Sequence, residues 1–165
     1  MGLTWEQFVS RHAQAVMSSA LRVISNVSDA EDVAQDVFLE ILRNGRMQEL
    51  SRQPALLRVM ATRRALDLIR KKRAHLLDEL EPDPRVHEPI QHSIAAELEE
   101  RLQIELARLS PRQAEVFCLT YFEDLSGNGI AAILGISPGA VAKALSEARK
   151  RLSTAFAKLR TGSMP

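Results

Sequence analysis

The sequence predicts an all-α fold, two small helical domains joined by a flexible acidic linker. Three observations predict it. Apolar residues make up 45% of the 165 residues but aromatics only 4%, so Leu, Ile, Val and Ala must build the core, a composition that favours helix. Two long tracts, residues 3–73 and 94–160, repeat apolar residues at three- and four-residue spacing. Between them, AHLLDELEPDPRVHEPIQHS (74–93) sets Pro82, Pro84 and Pro89 among acidic residues with no sustained period. That stretch reads as an extended, mobile linker. The domains are accordingly 1–73 and 94–165.

Each helix has a local justification. Trp5, Phe8, Val9, His12, Val16 and Met17 mark the first, with Thr4 and Gln7 placed for a capping box. In the second, Ser28 and Glu31 fit a capping box. Ala30, Val33, Ala34, Val37, Phe38, Ile41 and Leu42 form its apolar stripe, and Asn44-Gly45 ends it. A third helix is expected from about Pro54 to Arg73, with its apolar residues broadly distributed. Ile94–Leu109 forms the next. Ser110-Pro111-Arg112-Gln113 then combines an N-cap, a proline at N1 and a capping-box Gln, opening a helix through Tyr121.

Residues 126–152, SGNGIAAILGISPGAVAKALSEARKRL, have the pattern of a helix-turn-helix. Ala131 is small where two helices approach, Gly135 suits a left-handed turn, and Val141 locks the second helix on the first. Ser137-Pro138 opens that second helix, which continues to about Leu159. Such a helix is shaped to enter a DNA major groove. An αα-hairpin used only for packing gives the same pattern.

Several classes are excluded. The one cysteine, Cys118, cannot form a disulfide within the chain, which suits a reducing cytoplasm, and it reads as a small buried hydrophobe. MGLTWEQF is not a signal peptide, and no stretch approaches the roughly 20 apolar residues of a membrane span. His12, His75, His87 and His92 are scattered, so Asp29, Glu31, Asp32 and Asp36 gain no histidine at ligand spacing. No catalytic residue, metal or cofactor is expected, and no sensory domain after Leu159.

Net charge is only +1, but it is unevenly placed. Arg58, Arg63, Arg64, Arg70, Lys71, Lys72 and Arg73 stand against one acid, Asp67. Lys143, Arg149, Lys150, Arg151, Lys158 and Arg160 stand against Glu147. Each cluster suits phosphate neutralisation. The acidic face of helix 28–43 would repel DNA, and reads as a solvated face or a docking surface for a protein.

Together these blocks resemble the extracytoplasmic-function (ECF) group of bacterial sigma factors over nearly the whole chain. Asp29-Ala30-Glu31-Asp32-Val33-Ala34-Gln35-Asp36-Val37-Phe38-Leu39 is similar to region 2.2, and Ala61–Lys72 (ATRRALDLIRKK) to regions 2.3–2.4. Leu109–Phe117 (LSPRQAEVF) resembles the opening of region 4, and the helix-turn-helix its −35 reader. The resemblance implies a sigma region 2-like bundle and a region 4-like unit. Their partners would be core RNA polymerase, through the β′ clamp and β flap, promoter DNA, and an anti-sigma factor. It implies that Asp32, Gln35, Asp36 and Glu40 contact polymerase. Arg63, Arg64, Asp67, Arg70 and Lys71 would face the opened −10 strand, where a base is held out of the stack. Ser137, Gly139, Ala140, Lys143, Ala144 and Ser146 would face the −35 groove, with Arg149 and Lys150 on phosphates.

The chain also departs from the family. Arg63 stands where asparagine is frequent, and Leu56 where tryptophan is. Gly127-Asn128-Gly129 replaces an acidic pair, each glycine weakening the helix start by roughly 1 kcal/mol relative to alanine. Ala140, Ala142 and Ala144 replace threonine, lysine and arginine, which leaves few bidentate base contacts and a larger role for phosphates and DNA shape. Two alternatives remain: a stand-alone helix-turn-helix regulator that dimerises on a palindrome, or a sigma-like protein that binds polymerase without reading DNA strongly. The charge alternation further suggests that the acidic linker folds over a basic patch in the free protein.

Overall fold

The structure, a computed structural model, describes residues 2–78 and 93–162. The described residues form eight helices: α1 (Trp5–Ile24), α2 (Val27–Asn44), α3 (Met47–Arg52), α4 (Pro54–Asp78), α5 (Ile94–Arg108), α6 (Pro111–Tyr121), α7 (Gly127–Leu134) and α8 (Pro138–Gly162). The suggestion that the linker covers a basic patch falls largely outside the described residues, although α4 runs through 74–78, inside the expected linker.

Local chemistry sets most boundaries. Thr4 Oγ1 accepts from Gln7 N at 3.2 Å while Gln7 Oε1 accepts from Thr4 N at 3.0 Å, the anticipated capping box. Ser110 and Gln113 repeat it at α6. Gly45 ends α2 at φ +63°, a left-handed conformation that glycine adopts without a Cβ penalty. The start of α2 differs from expectation. Asn26, not Ser28, is the cap, its Oδ1 accepting from Asp29 N at 3.0 Å. Asn26 caps as well as serine does and lets the helix begin earlier. The short α3 was not foreseen; it has no side-chain cap and buries only Leu50.

α1 packs on α4 and α2, and α2 on α4. Three of the seven aromatics, Trp5, Phe8 and Phe38, meet here. Phe8 is fully buried; its ring stacks on Trp5 at 5.8 Å and meets Phe38 edge-on at 6.2 Å. Burying such a side chain contributes roughly 1.5–3 kcal/mol. α6 and α7 pack on α8 in the second unit.

The two units also touch, with α4 against both α5 and α6. Leu106, Cys118, Ala148 and Leu152 belong to the same buried cluster as Phe8, Ala61 and Ile69. Val59 of α4 is buried with Val116, Leu119, Ile130 and Val141 of the second unit. Gln103 Nε2 donates to the Ile24 carbonyl at 2.6 Å, which satisfies a group near the end of α1.

Candidate nucleic-acid interface

Three surfaces carry the residues singled out in the sequence. The first is the outer face of α2. Ala30, Val33, Ala34, Val37, Phe38 and Ile41 turn inward, which leaves Asp32, Gln35 and Asp36 exposed and Glu40 half-exposed on the opposite side. Leu39 is exposed beside them, and so is Leu42, which the sequence places in the apolar stripe but which lies at the stripe's edge near the end of α2; the two form an apolar complement to the carboxylates. Glu40 is not free: its Oε2 accepts from Arg64 Nη2 at 2.7 Å. Asp29 pairs with Lys72 in the same way. A cleft of about 310 Å³ lies between Asp36, Leu39, Glu40, Arg43, Asn44 and Arg64.

The second surface is the basic side of α4. Arg64, Asp67 and Lys71 are exposed, and Asp67 holds Arg70 at 3.5 Å. Arg63 is turned to the second unit, where its Nε donates to Glu115 Oε1. Glu115 also takes Arg112 at 3.4 Å. Arg70 is only half-exposed, and its Nη2 is buried with no acceptor among the described residues. The −10 set is thus brought together on one helix, but Arg63 faces protein and Arg64 is tied to α2. The sequence reading missed Arg22 and placed Arg58 only in a basic cluster, with no carboxylate partner. Arg22 Nη1 donates to Glu123 Oε1 at 3.1 Å and Arg58 Nη1 to Glu123 Oε2 at 3.4 Å. Nearby, burial, reinforced by the Glu123 carboxylate, pushes the Cys118 thiol far above its usual range, so it stays protonated and inert.

The third surface is the helix-turn-helix. Gly135 makes the turn at φ +66°, and α7 and α8 are bent 112° from one another, within the range of DNA-binding pairs. Ser137 Oγ accepts from Ala140 N at 3.1 Å and caps α8 as expected. Ser126 caps α7 the same way, accepting from Gly129 N at 3.0 Å. A Cβ on Gly129 would stand 3.1 Å from that hydroxyl, so the glycine leaves the cap room. Gly139, Ala140, Lys143, Ser146, Arg149 and Lys150 are exposed along α8. Ala144 is not. It is buried against α6 and α7 with Val141, so its side chain reaches no groove. Tyr121, unmarked in the sequence, holds Arg149: its hydroxyl accepts from Arg149 Nε, and the guanidinium lies 5.4 Å from the ring centroid.

This geometry coincides with two family models, "Sigma-70 region 2" over residues 8–75 and "Sigma-70, region 4" over 99–152. The RNA polymerase sigma factor CarQ of Myxococcus xanthus is 31% identical over 162 residues, which cover 94% of this chain and 87% of the relative. The chain belongs to the ECF group of sigma factors. The ECF RNA polymerase sigma factor SigE of Mycolicibacterium smegmatis is 28% identical over 165 residues, covering 94% of this chain but 62% of its own length. The ferric citrate uptake sigma factor FecI of Escherichia coli is 27% identical, with 88% of this chain and 87% of the relative covered. The fold matches that of CnrH, solved in complex with the cytosolic domain of CnrY, at a TM-score of 0.60 and 24% identity over 93% of this chain and 88% of that one. As a sigma factor, the chain serves in transcription initiation, a non-enzymatic role. No single helix among the described residues is long and apolar enough to cross a membrane.

Proposed function

We propose that this sigma factor docks on core RNA polymerase through the α2 face and carries α4 to the opened −10 strand and α8 to the −35 duplex. The exposed carboxylate stripe of α2 carries the reading: Asp32, Gln35 and Asp36 stand in solvent beside exposed Leu39 and Leu42, on a helix whose other side is fully packed. A protein surface with basic and apolar groups complements that face, and DNA does not. Residues 1–73 and 94–165 act as the two promoter-reading units joined through 74–93. The chain supplies recognition while polymerase supplies chemistry, in the cytoplasm. An anti-sigma protein is a further partner in this reading.

The −35 contacts come from Gly139, Ala140, Lys143 and Ser146 with Arg149 and Lys150 on phosphates. Small side chains dominate that exposed face. Shape and phosphate contacts therefore outweigh base contacts there, and the −10 unit carries most sequence discrimination.

The test is transcription in vitro with purified core polymerase on a genomic promoter library. Asp32→Lys with Asp36→Lys is expected to abolish specific initiation and core binding while the thermal melt stays within about 0.5 kcal/mol of the parent, since both side chains are solvated. Full activity in that variant would remove α2 from the docking surface. Tight binding of the parent to a palindromic duplex without polymerase would favour a stand-alone regulator.

A further inference from the structure

Among the described residues, an ionic cluster lies between the two units rather than on an outer face. The Glu123 carboxylate is 1% exposed and presents one oxygen to Arg22 and the other to Arg58. Nearly two turns of α6 and a short bend away, Glu115, also buried, takes Arg63. Both acids come from the second unit; Arg22, Arg58 and Arg63 come from the first, and Arg112 of the second unit shares Glu115. The guanidiniums remain a third to a half exposed. They lie at the border of solvent, where a longer anion is able to reach them.

We propose that Arg22, Arg58 and Arg63 form a binding track for the phosphodiester backbone of single-stranded DNA, and that Glu115 and Glu123 close this track in the free chain. The inference rests on the reading of the chain as a sigma factor. Carboxylate and phosphate offer a guanidinium the same paired-oxygen geometry. A carboxylate held by two arginines is therefore a resident stand-in for a phosphate. On the same helix Arg70 pairs with Asp67 through Nη1 and leaves its buried Nη2 without an acceptor among the described residues. Arg63 stands where the family frequently has asparagine, so the Arg63–Glu115 arm of the closure depends on a residue particular to this sequence. Opening exchanges the protein carboxylates for DNA phosphates. Closing withdraws Arg63 from the strand and buries Val59 in the second unit.

The experiment uses the full chain without polymerase. Binding of a labelled mixed-sequence single-stranded oligonucleotide is measured by anisotropy across a salt series. Small-angle scattering reports how compact the protein is. Glu115→Gln with Glu123→Gln keeps side-chain shape and removes the charge. The variant is expected to expand and to bind the oligonucleotide about tenfold more tightly at low salt, with a salt slope about 2 steeper, as three added phosphate contacts require. A variant that expands with unchanged affinity and slope would overturn the track. A variant that stays compact would overturn closure by the carboxylates.

Should the variant misfold, the unmodified chain decides the matter. Saturating oligonucleotide at low salt must expand it, and a chain that binds yet stays compact refutes the exchange. Core polymerase pull-down runs in parallel on the same preparations. Failure of the parent to associate would strike the sigma reading itself, while the polymerase-free measurements still judge the track.

Discussion

The core of the N-terminal unit and the seam between the units use the same helix, α4, in two different ways. Toward α1 and α2 it offers Ala61, Ala65, Leu66 and Ile69, all buried, and the contact is closed by the rings of Phe8, Trp5 and Phe38. Toward α6 it offers Val59, buried with Val116 and Leu119 and flanked by Arg58 and Arg63 on buried carboxylates, while Leu106 of α5 and Cys118 of α6 join the buried cluster of Ala61 and Ile69. Within the N-terminal unit the core joins its segments through apolar contact. The seam adds to its apolar contacts three ion pairs between residues 52, 65 and 101 positions apart. Apolar contact is non-directional and has no partner in water better than itself. A guanidinium–carboxylate pair has a ready competitor in any phosphate. The difference teaches that the charged part of the seam is suited to being released, whereas its apolar part is held by the same kind of contact as the core.

Truncations on the two sides of α4 test that distinction. Phe8→Ala in the core is expected to cost about 3–5 kcal/mol by urea denaturation, and to lower the cooperativity of the whole N-terminal unit. Val59→Ala in the seam should cost about 2 kcal/mol at most. It should leave the helical signal of each unit intact and expand the particle in scattering. A Val59→Ala chain that melts like Phe8→Ala would mean that the seam is as structural as the core.

The sequence made the core far easier to read than the seam. Caps are local, so Thr4–Gln7, Ser110–Gln113 and Ser137 were placed from residues three apart, and Gly45 and Gly135 from the turn each had to make. α2 is buried on one side only, and its stripe survives as a clean period that exposes Asp32, Gln35 and Asp36. α4 is buried on two sides, which blurs its period and hides that Val59 and Arg63 face another unit. Glu115 and Glu123 sit among apolar neighbours and carry no local mark of their long-range arginines. Ala144 was assigned to the DNA face because alanine fits a packed or an exposed helix position equally well; its neighbour in the turn, Val141, decided its burial. Ser28 and Asn26 are both capping residues, and only the observed bond to Asp29 N separates them.

The smallest effect expected is one of pH, and it distinguishes the core from the seam once more. His12 lies tilted against Phe8 with ring centroids 4.8 Å apart, and its Nε2 is buried with no hydrogen-bond partner among the described residues. Burial, with help from neighbouring Arg11, holds its imidazole below the usual histidine value. The unfolded chain, whose histidine titrates near about 6.5, therefore takes up a proton before the native state does. The sign follows. The stabilising contribution is complete above that value, falls as pH drops through it, and levels off once the lower native value is passed. The slope in that window is at most about 1.4 kcal/mol per pH unit. Urea midpoints measured from pH 7.5 downward should fall for the parent, and His12→Leu should remove this histidine's share of the decline while the scattering profile stays compact. A decline that persists unchanged in His12→Leu would assign the pH response to other groups and leave the core without a titrating member.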